Sequence, residues 1–141
     1  MTTSLVVDAS LTLNFLVPGA AHAQLYPLFE QWQVAGVALA APTLWAYEMT
    51  SNVNKLVHFG LITAAEGNRL LKLLPALNVQ LVVPDDELRS NAYRWTRQLN
   101  RAAAYDSFYL ALAERLNCDF WTADQRLVRA VNQPWVKSIP L

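Results

Sequence analysis

Four acidic residues of this chain stand where carboxylate chemistry is possible: Asp8, Glu48, Asp106 and Asp124. Asp8 closes an apolar, β-branched run, and Asp124 lies two residues past the end of a second predicted strand, residues 119–122. Both acids are therefore predicted at or just past the carboxyl ends of buried strands. Asp106 opens a nearly all-apolar segment, and Glu48 has apolar and aromatic neighbours. Because ligands bind beyond the carboxyl ends of the strands in open parallel sheets, we predict a shared site there.

Such a site would need a cation. Four like charges in one pocket repel each other, and some would take up protons unless a positive charge neutralised them. Mg²⁺ and Mn²⁺ prefer oxygen ligands and can activate water and orient a phosphodiester. With one cysteine and two histidines, the chain has too few soft ligands for a typical zinc site. The pattern therefore indicates Mg²⁺ or Mn²⁺ and phosphoryl chemistry rather than acyl transfer.

Each acid also has a purely structural interpretation. Asp8, Asp106 and Asp124 could be helix N-caps, one of the commonest uses of Asp, although Ser10 would cap the first helix equally well. Glu48 does not occupy the capping-box position of its helix. An acid among apolar neighbours is usually paired or bound to a metal, which favours a functional role for Glu48.

The segments around these acids alternate between short apolar runs, as in buried strands, and apolar residues spaced three to four apart, as in helices. We predict strands over residues 4–8, 37–41, 79–83, 119–122 and 135–138, and helices over 11–16, 21–34, 43–59, 63–74, 84–99, 106–116 and 124–131. Strands that alternate with helices imply a parallel sheet covered on both faces. The predicted fold is therefore α/β, a three-layer α/β/α sandwich in a single domain over residues 1–141.

Composition limits the possible partners and the compartment. The 141 residues are 54% apolar and 16% charged, which is typical of one packed globular domain. Eleven basic residues balance eleven acidic ones, so any surface that binds nucleic acid must be local. No signal peptide is apparent, and the longest apolar stretch ends at Pro42, far short of a membrane span of ~20 residues. We expect a soluble, cytoplasmic protein with no membrane partner.

Basic residues offer two candidate contacts with RNA. Arg94, Arg97 and Arg101 recur at helical spacing opposite an apolar face, as in a solvated surface or a stripe that contacts phosphates. Arg126 and Arg129 follow the last of the four acids, where one of them could contact a scissile phosphate.

Four aromatic residues leave a similar choice open. Trp32, Trp45, Tyr47 and Tyr105 could stack on bases, but aromatic residues in apolar surroundings more often belong to a core or an interface.

Four segments, in this order, resemble the acidic motifs of the PIN-domain family. They are Val6-Val-Asp-Ala-Ser10, Ala41-Pro-Thr-Leu-Trp-Ala-Tyr-Glu48, Tyr105-Asp-Ser-Phe-Tyr-Leu-Ala-Leu-Ala-Glu-Arg-Leu116 and Phe120-Trp-Thr-Ala-Asp-Gln-Arg-Leu127. The likeness spans nearly the whole chain, and the last two segments form its more specific part.

The resemblance implies a five-stranded parallel sheet between helices and Mg²⁺- or Mn²⁺-dependent cleavage of single-stranded or structured RNA. The four acids would then be catalytic, as metal ligands or as groups that position the metal-bound water. Ser10 and Thr122 match polar positions beside the acids and would orient carboxylates or water. Many members are toxins of VapBC-type toxin–antitoxin pairs, so the resemblance also implies a small antitoxin partner and a homodimer.

Two other classes of protein compete with this interpretation. A non-catalytic module that binds RNA or a protein could retain the same scaffold. A phosphoaspartate protein also has an Asp after its first strand, but the phosphatase type needs a second Asp where this chain has Ser10. The receiver type needs a late lysine, and the only one, Lys137, lies inside the last predicted strand.

Overall fold

The computed structural model describes residues 3–139 and contains one parallel sheet. Its strands are β1 (Ser4–Val7), β2 (Ala38–Pro42), β3 (Gln80–Val82), β4 (Asp119–Trp121) and β5 (Val136–Lys137). They lie in the order β3-β2-β1-β4-β5, and every neighbouring pair is parallel. The predicted five-stranded parallel sheet is confirmed, with strands slightly shorter than the sequence pattern indicated.

Seven α-helices connect the strands of the described residues. They are α1 (Ala9–Leu16), α2 (Ala20–Val34), α3 (Leu44–His58), α4 (Ala64–Leu73), α5 (Asp86–Leu99), α6 (Tyr105–Leu116) and α7 (Gln125–Val131). Thr63 caps α4, because its side chain accepts a hydrogen bond from the backbone N of Glu66 at 3.1 Å. A 3₁₀ turn over Leu74–Leu77 was not predicted; it follows α4 where Pro75 lacks the N–H needed to continue an α-helix.

Helices cover both faces of the sheet, as strand β1 shows. Leu5 and Val7 face one way, into an apolar cluster that includes Phe29 of α2. Val6 faces the other way, into a larger cluster that includes Leu110 of α6. A central parallel strand buried on both faces reads as a continuous apolar run, which is why the segment before Asp8 is all aliphatic. The predicted three-layer arrangement is confirmed.

The order of the strands creates a switch point next to β1. The chain places β2 and β3 on one side of β1, then returns to place β4 and β5 on the other. Val7 pairs with Trp121 in register, so the residues that follow the two strands become neighbours. The backbone N of Asp8 donates to the carbonyl of Trp121 at 3.3 Å. Crevices outside such a switch point are where α/β sheets bind ligands.

Within residues 3–139, none of the helices combines the length and the apolar character needed to cross a bilayer.

Candidate active site

Asp8 is a buried carboxylate with a partner for each oxygen. It caps α1, where its Oδ1 accepts from the backbone N of Leu11 at 2.9 Å and from Ser10 Oγ at 2.8 Å. Its Oδ2 accepts from Thr122 Oγ1. Burial nevertheless raises the pKa of Asp8 to about 6, and the negative charge of Asp106 contributes in the same direction. Asp8 is thus both an N-cap, the structural interpretation, and a carboxylate held in one orientation at the switch point.

The two predicted hydroxyl residues lie beside Asp8. Thr122 is fully buried, and its Oγ1 donates to Asp8 and accepts from the backbone N of Asp124 at 3.0 Å. Ser10 Oγ also accepts from the backbone N of Ala123 at 3.3 Å. The hydroxyls therefore join the end of β1 to the end of β4. This placement suits the roles that the family resemblance implies, and those roles stay predictions.

Asp124 and Asp106 both lie at the start of a helix, but only Asp124 caps its helix. Asp124 caps α7, because its Oδ1 accepts from the backbone N of Leu127 at 3.1 Å. Asp106 does not cap α6: Ala104 occupies the N-cap position, without a side-chain hydrogen bond. The N-cap interpretation is therefore wrong for Asp106. Its Oδ2 instead accepts from Arg101 Nη1 at 3.2 Å.

Burial is the main cause of the raised pKa of Asp106. The guanidinium of Arg101 acts against it, and the charge of Asp124 adds to it. Asp106 opens a buried helix without capping it, so its carboxylate does not accept a hydrogen bond from the helix backbone. It interacts instead with Arg101 and with the other acids.

Glu48 lies on α3 with a donor from α6. The hydroxyl of Tyr109 donates to its Oε1 at 2.6 Å, and the Tyr109 ring is buried. Burial raises the pKa of Glu48, the Tyr109 bond lowers it, and the charge of Asp106 raises it again. Sequence reasoning missed Tyr109 as a site residue. The available signal was its position three residues after Asp106, on the same face of one helix.

These contacts bring the four acids into one electrostatic region without making a finished metal site. The charge of Asp106 acts on Asp8 and Glu48, and that of Asp124 acts on Asp106. Yet across residues 3–139 no three Asp, Glu, His or Cys side chains are grouped as a metal would need. An all-oxygen donor set with mutual repulsion fits a hard divalent cation chemically. Binding one would require the carboxylates to approach each other more closely than they do in this structure.

The predicted arginine stripe is not continuous. Helix α5 ends at Leu99, and Asn100 follows in the left-handed region with φ of 54°, so Arg101 lies beyond the helix. Arg94 pairs with Glu114 of α6 at 2.9 Å, whereas Arg97 is exposed on α5. The expectation that three arginines share one helical face is therefore wrong, because it assumed a helix that extends past Asn100.

Arg126 and Arg129 are exposed on α7, in the turns that follow Asp124. Their contact with a phosphate stays a prediction.

The aromatic residues separate by exposure. Trp32 and Trp45 are buried in the two apolar clusters and belong to the core. Tyr47 and Tyr105 are 72% and 63% exposed, and each precedes a candidate acid, Glu48 or Asp106. Tyr105 is one helical turn before Tyr109, on the face of α6 that reaches Glu48. These two tyrosines therefore remain candidates for base stacking.

Comparison with known proteins places this geometry in a family. The PIN domain family model matches residues 5–132. Ribonuclease VapC9 of Mycobacterium tuberculosis and VapC ribonuclease Mb0985 of Mycobacterium bovis are each 33% identical to the chain over 129 residues, which covers 87% of both chains compared.

Two solved structures have a similar fold. PAE2754 from Pyrobaculum aerophilum gives a TM-score of 0.70 at 20% identity, over 98% of this chain and 92% of the other. VapBC-1 from nontypeable Haemophilus influenzae gives 0.60 at 15% identity, over 96% and 100%. At these identities the likeness shows the fold alone. Together with the family model and the 33% identical relatives, it confirms the resemblance seen in the acidic motifs: the chain belongs to the PIN domain family.

Proposed function

We propose that this protein is a metal-dependent endoribonuclease and the toxin of a toxin–antitoxin pair. The observation that carries the proposal is that acids from separate elements are coupled to one another. Thr122 joins Asp8 to the backbone of Asp124. The charge of Asp106 acts on both Asp8 and Glu48. The relatives named as ribonucleases support the proposed activity. The similar fold of the solved VapBC-1 structure supports the proposed antitoxin partner. A homodimer is part of the proposal through the family alone.

Asp8, Glu48, Asp106 and Asp124 would hold Mg²⁺ or Mn²⁺. A bound cation of this kind supplies a water of lowered pKa and offsets the charge that develops on a phosphate. The chain's own contribution is orientation. Thr122 fixes Asp8 and the backbone of Asp124 together, and Tyr109 holds Glu48. Such supporting hydrogen bonds set the direction in which ligand oxygens point.

We propose single-stranded RNA as the preferred substrate. Tyr47 and Tyr105 have exposed rings and directly precede two of the acids in the sequence, and aromatic rings bind unpaired bases by stacking. Bases inside a duplex are already stacked and do not offer their faces. Arg126 and Arg129 are exposed close to Asp124 in sequence and would contact the RNA backbone.

One observation favours the alternative, a non-catalytic module that binds RNA or a protein on this scaffold. In the described part of the chain, the acids are hydrogen-bonded to protein groups and do not form a ready ligand set.

Cleavage of a fluorescent single-stranded RNA with Mn²⁺ or with EDTA separates the two functions. Asp8→Asn and Asp106→Asn should each reduce cleavage by about 100-fold or more, since loss of even a supporting group costs 10- to 100-fold. Asp86→Asn is the matched control, because Asp86 is 97% exposed at the start of α5. Cleavage that persists in EDTA, or in both folded site variants, would refute the nuclease proposal. RNA binding without Mn²⁺-dependent cleavage would support the alternative.

A further inference from the structure

We propose that Arg101 is the internal counter-ion of Asp106 in the metal-free protein, and that a divalent cation displaces it and frees its guanidinium for the RNA backbone. The inference deepens the proposed function and depends on it. In physical terms, Arg101 would exchange one anionic partner, the carboxylate, for another, a phosphate.

The contact itself is direct. Arg101 Nη1 lies 3.2 Å from Asp106 Oδ2, and the two side chains are 31% and 41% exposed. Asp106 is also the acid whose charge acts on both Asp8 and Glu48. Arg101 therefore neutralises the carboxylate that is electrostatically linked to the other candidate ligands. The Arg101 guanidinium thus supplies the positive charge next to Asp106 that a bound cation would otherwise supply.

The surrounding backbone allows the side chain to move while its base stays fixed. The backbone N of Arg101 donates to the carbonyl of Thr96 at 3.2 Å, just after Asn100 ends α5. The hydroxyls of Thr96 and Ser107 are hydrogen-bonded at 2.8 Å, and both side chains are buried. These bonds hold the end of α5 against the start of α6. The long, partly exposed arginine side chain is thus the mobile part of the contact.

Charge decides what happens when a cation arrives. Arg101 cannot lose its proton near neutral pH, so it remains a positive neighbour of any cation bound by Asp106. A partly exposed ion pair is weak compared with the coordination of a divalent ion by several carboxylates. The guanidinium therefore leaves, and its planar donors suit the oxygens of a phosphate brought to the same place by RNA.

A second arginine provides a matched control. Arg94, on α5, pairs with Glu114 of α6 at 2.9 Å, and its side chain is 51% exposed. This pair joins α5 to α6, whereas Arg101 follows the end of α5 and pairs with the start of α6. Glu114 is not one of the four candidate ligands. Arg94→Gln removes the same charge and the same kind of bridge away from the site. Arg101→Lys keeps the charge without the planar fork of donors.

The first measurement is Mn²⁺ binding without RNA, by electron paramagnetic resonance or calorimetry. Arg101→Gln should bind Mn²⁺ more tightly than the unmodified protein, by up to about fivefold, because a partly exposed ion pair with Asp106 no longer has to be broken. Arg94→Gln and Arg101→Lys should change the affinity little. Equal Mn²⁺ affinity in Arg101→Gln and Arg94→Gln would overturn the inference.

The second measurement is the binding of a single-stranded RNA with Ca²⁺ in place of Mn²⁺ to slow cleavage. Arg101→Gln should bind RNA more weakly, and its dependence of log affinity on log salt should be shallower by about 0.7, the value of one phosphate contact on a single strand. Tighter Mn²⁺ binding combined with weaker RNA binding is a result that a merely structural arginine would not produce. An unchanged salt dependence would also overturn the inference.

The proposed function and the inference can fail separately. If the unmodified protein binds Mn²⁺ and cleaves RNA but Arg101→Gln behaves like Arg94→Gln, only the role of Arg101 is refuted. If neither the unmodified protein nor any variant binds Mn²⁺, both are refuted. Circular dichroism and thermal unfolding of each variant establish that it is folded before either result is used.

Discussion

Asp8→Asn is expected to stabilise the metal-free protein while abolishing its response to metal. Asp8 is 7% exposed, and burial raises its pKa from 3.8 to about 6. A raised carboxyl pKa means that the folded protein holds the proton more tightly than the unfolded chain does. The contribution of Asp8 to stability is therefore greatest below pH 4, falls as the pH rises to about 6, and stays at that lower level above it. Asparagine carries no charge and avoids this loss.

The magnitude follows from the pKa and the hydrogen bonds. A difference of about two pKa units corresponds to about 3 kcal/mol of unfolding free energy above pH 6. Against it, the asparagine amide would face Thr122 Oγ1, which now donates to Asp8 Oδ2 and would have to accept instead. That rearrangement costs about 1 kcal/mol. The net gain is about 2 kcal/mol, or a rise in Tm of roughly 6 °C for a domain of this size.

Thermal unfolding in EDTA and in Mn²⁺, at pH 7.5 and pH 4.5, measures each part of this expectation. In EDTA at pH 7.5, the Tm of Asp8→Asn should be higher than that of the unmodified protein. At pH 4.5 most of this difference in Tm should disappear. Mn²⁺ should raise the Tm of the unmodified protein and leave that of the variant unchanged, because ligands that bind the native state stabilise it. Asp86→Asn, at an exposed acid, should follow the unmodified protein throughout. A variant less stable than the unmodified protein in EDTA at pH 7.5 would refute the reasoning.

Two further predictions concern the groups around the acids. Thr122→Val should lower the free energy of unfolding by about 2 kcal/mol in urea titrations, because Asp8 loses a buried hydrogen-bond donor. Thr122→Ser keeps the hydroxyl and should retain most of this free energy. If Val and Ser lowered the stability equally, the methyl group of Thr122 would be the cause instead. Tyr47→Ala and Tyr105→Ala should each weaken the binding of single-stranded RNA about tenfold in fluorescence anisotropy. The Phe variants should bind normally, and Tyr93→Ala, at a tyrosine 66% exposed on α5, is the control; a similar loss in that control would argue against stacking at the site.

Local sequence patterns predicted most of the fold because they record which faces are buried. The aliphatic run before Asp8 predicted a central strand, since a strand buried on both faces has no polar side. Thr63 followed three residues later by Glu66 is likewise a sequence pattern of a helix start, and α4 begins there. The exact ends were less predictable, because they depend on single residues such as Pro75 and Asn100.

The roles of identical residue types were not predictable in the same way. Asp124 caps its helix and Asp106 does not, although each lies at a helix start after a short loop. Capping depends on the backbone dihedral angles of the residue before the helix, and at α6 that residue is Ala104. Arg101 left the expected face of α5 for a similar reason, once Asn100 had turned the chain.

The sequence by itself determined the kind of protein: which acids lie among apolar residues, which strands end beside them, and which family they resemble. Only the tertiary structure decided which groups meet. Tyr109 reaches Glu48 across 61 residues of chain, and Thr122 reaches Asp8 across 114. Periodicity describes neighbours along a helix or strand, whereas these contacts arise because β1 and β4 are adjacent and α6 brings Tyr109 within reach of α3. Sheet order and helix packing are properties of the whole chain, and no local pattern contains them.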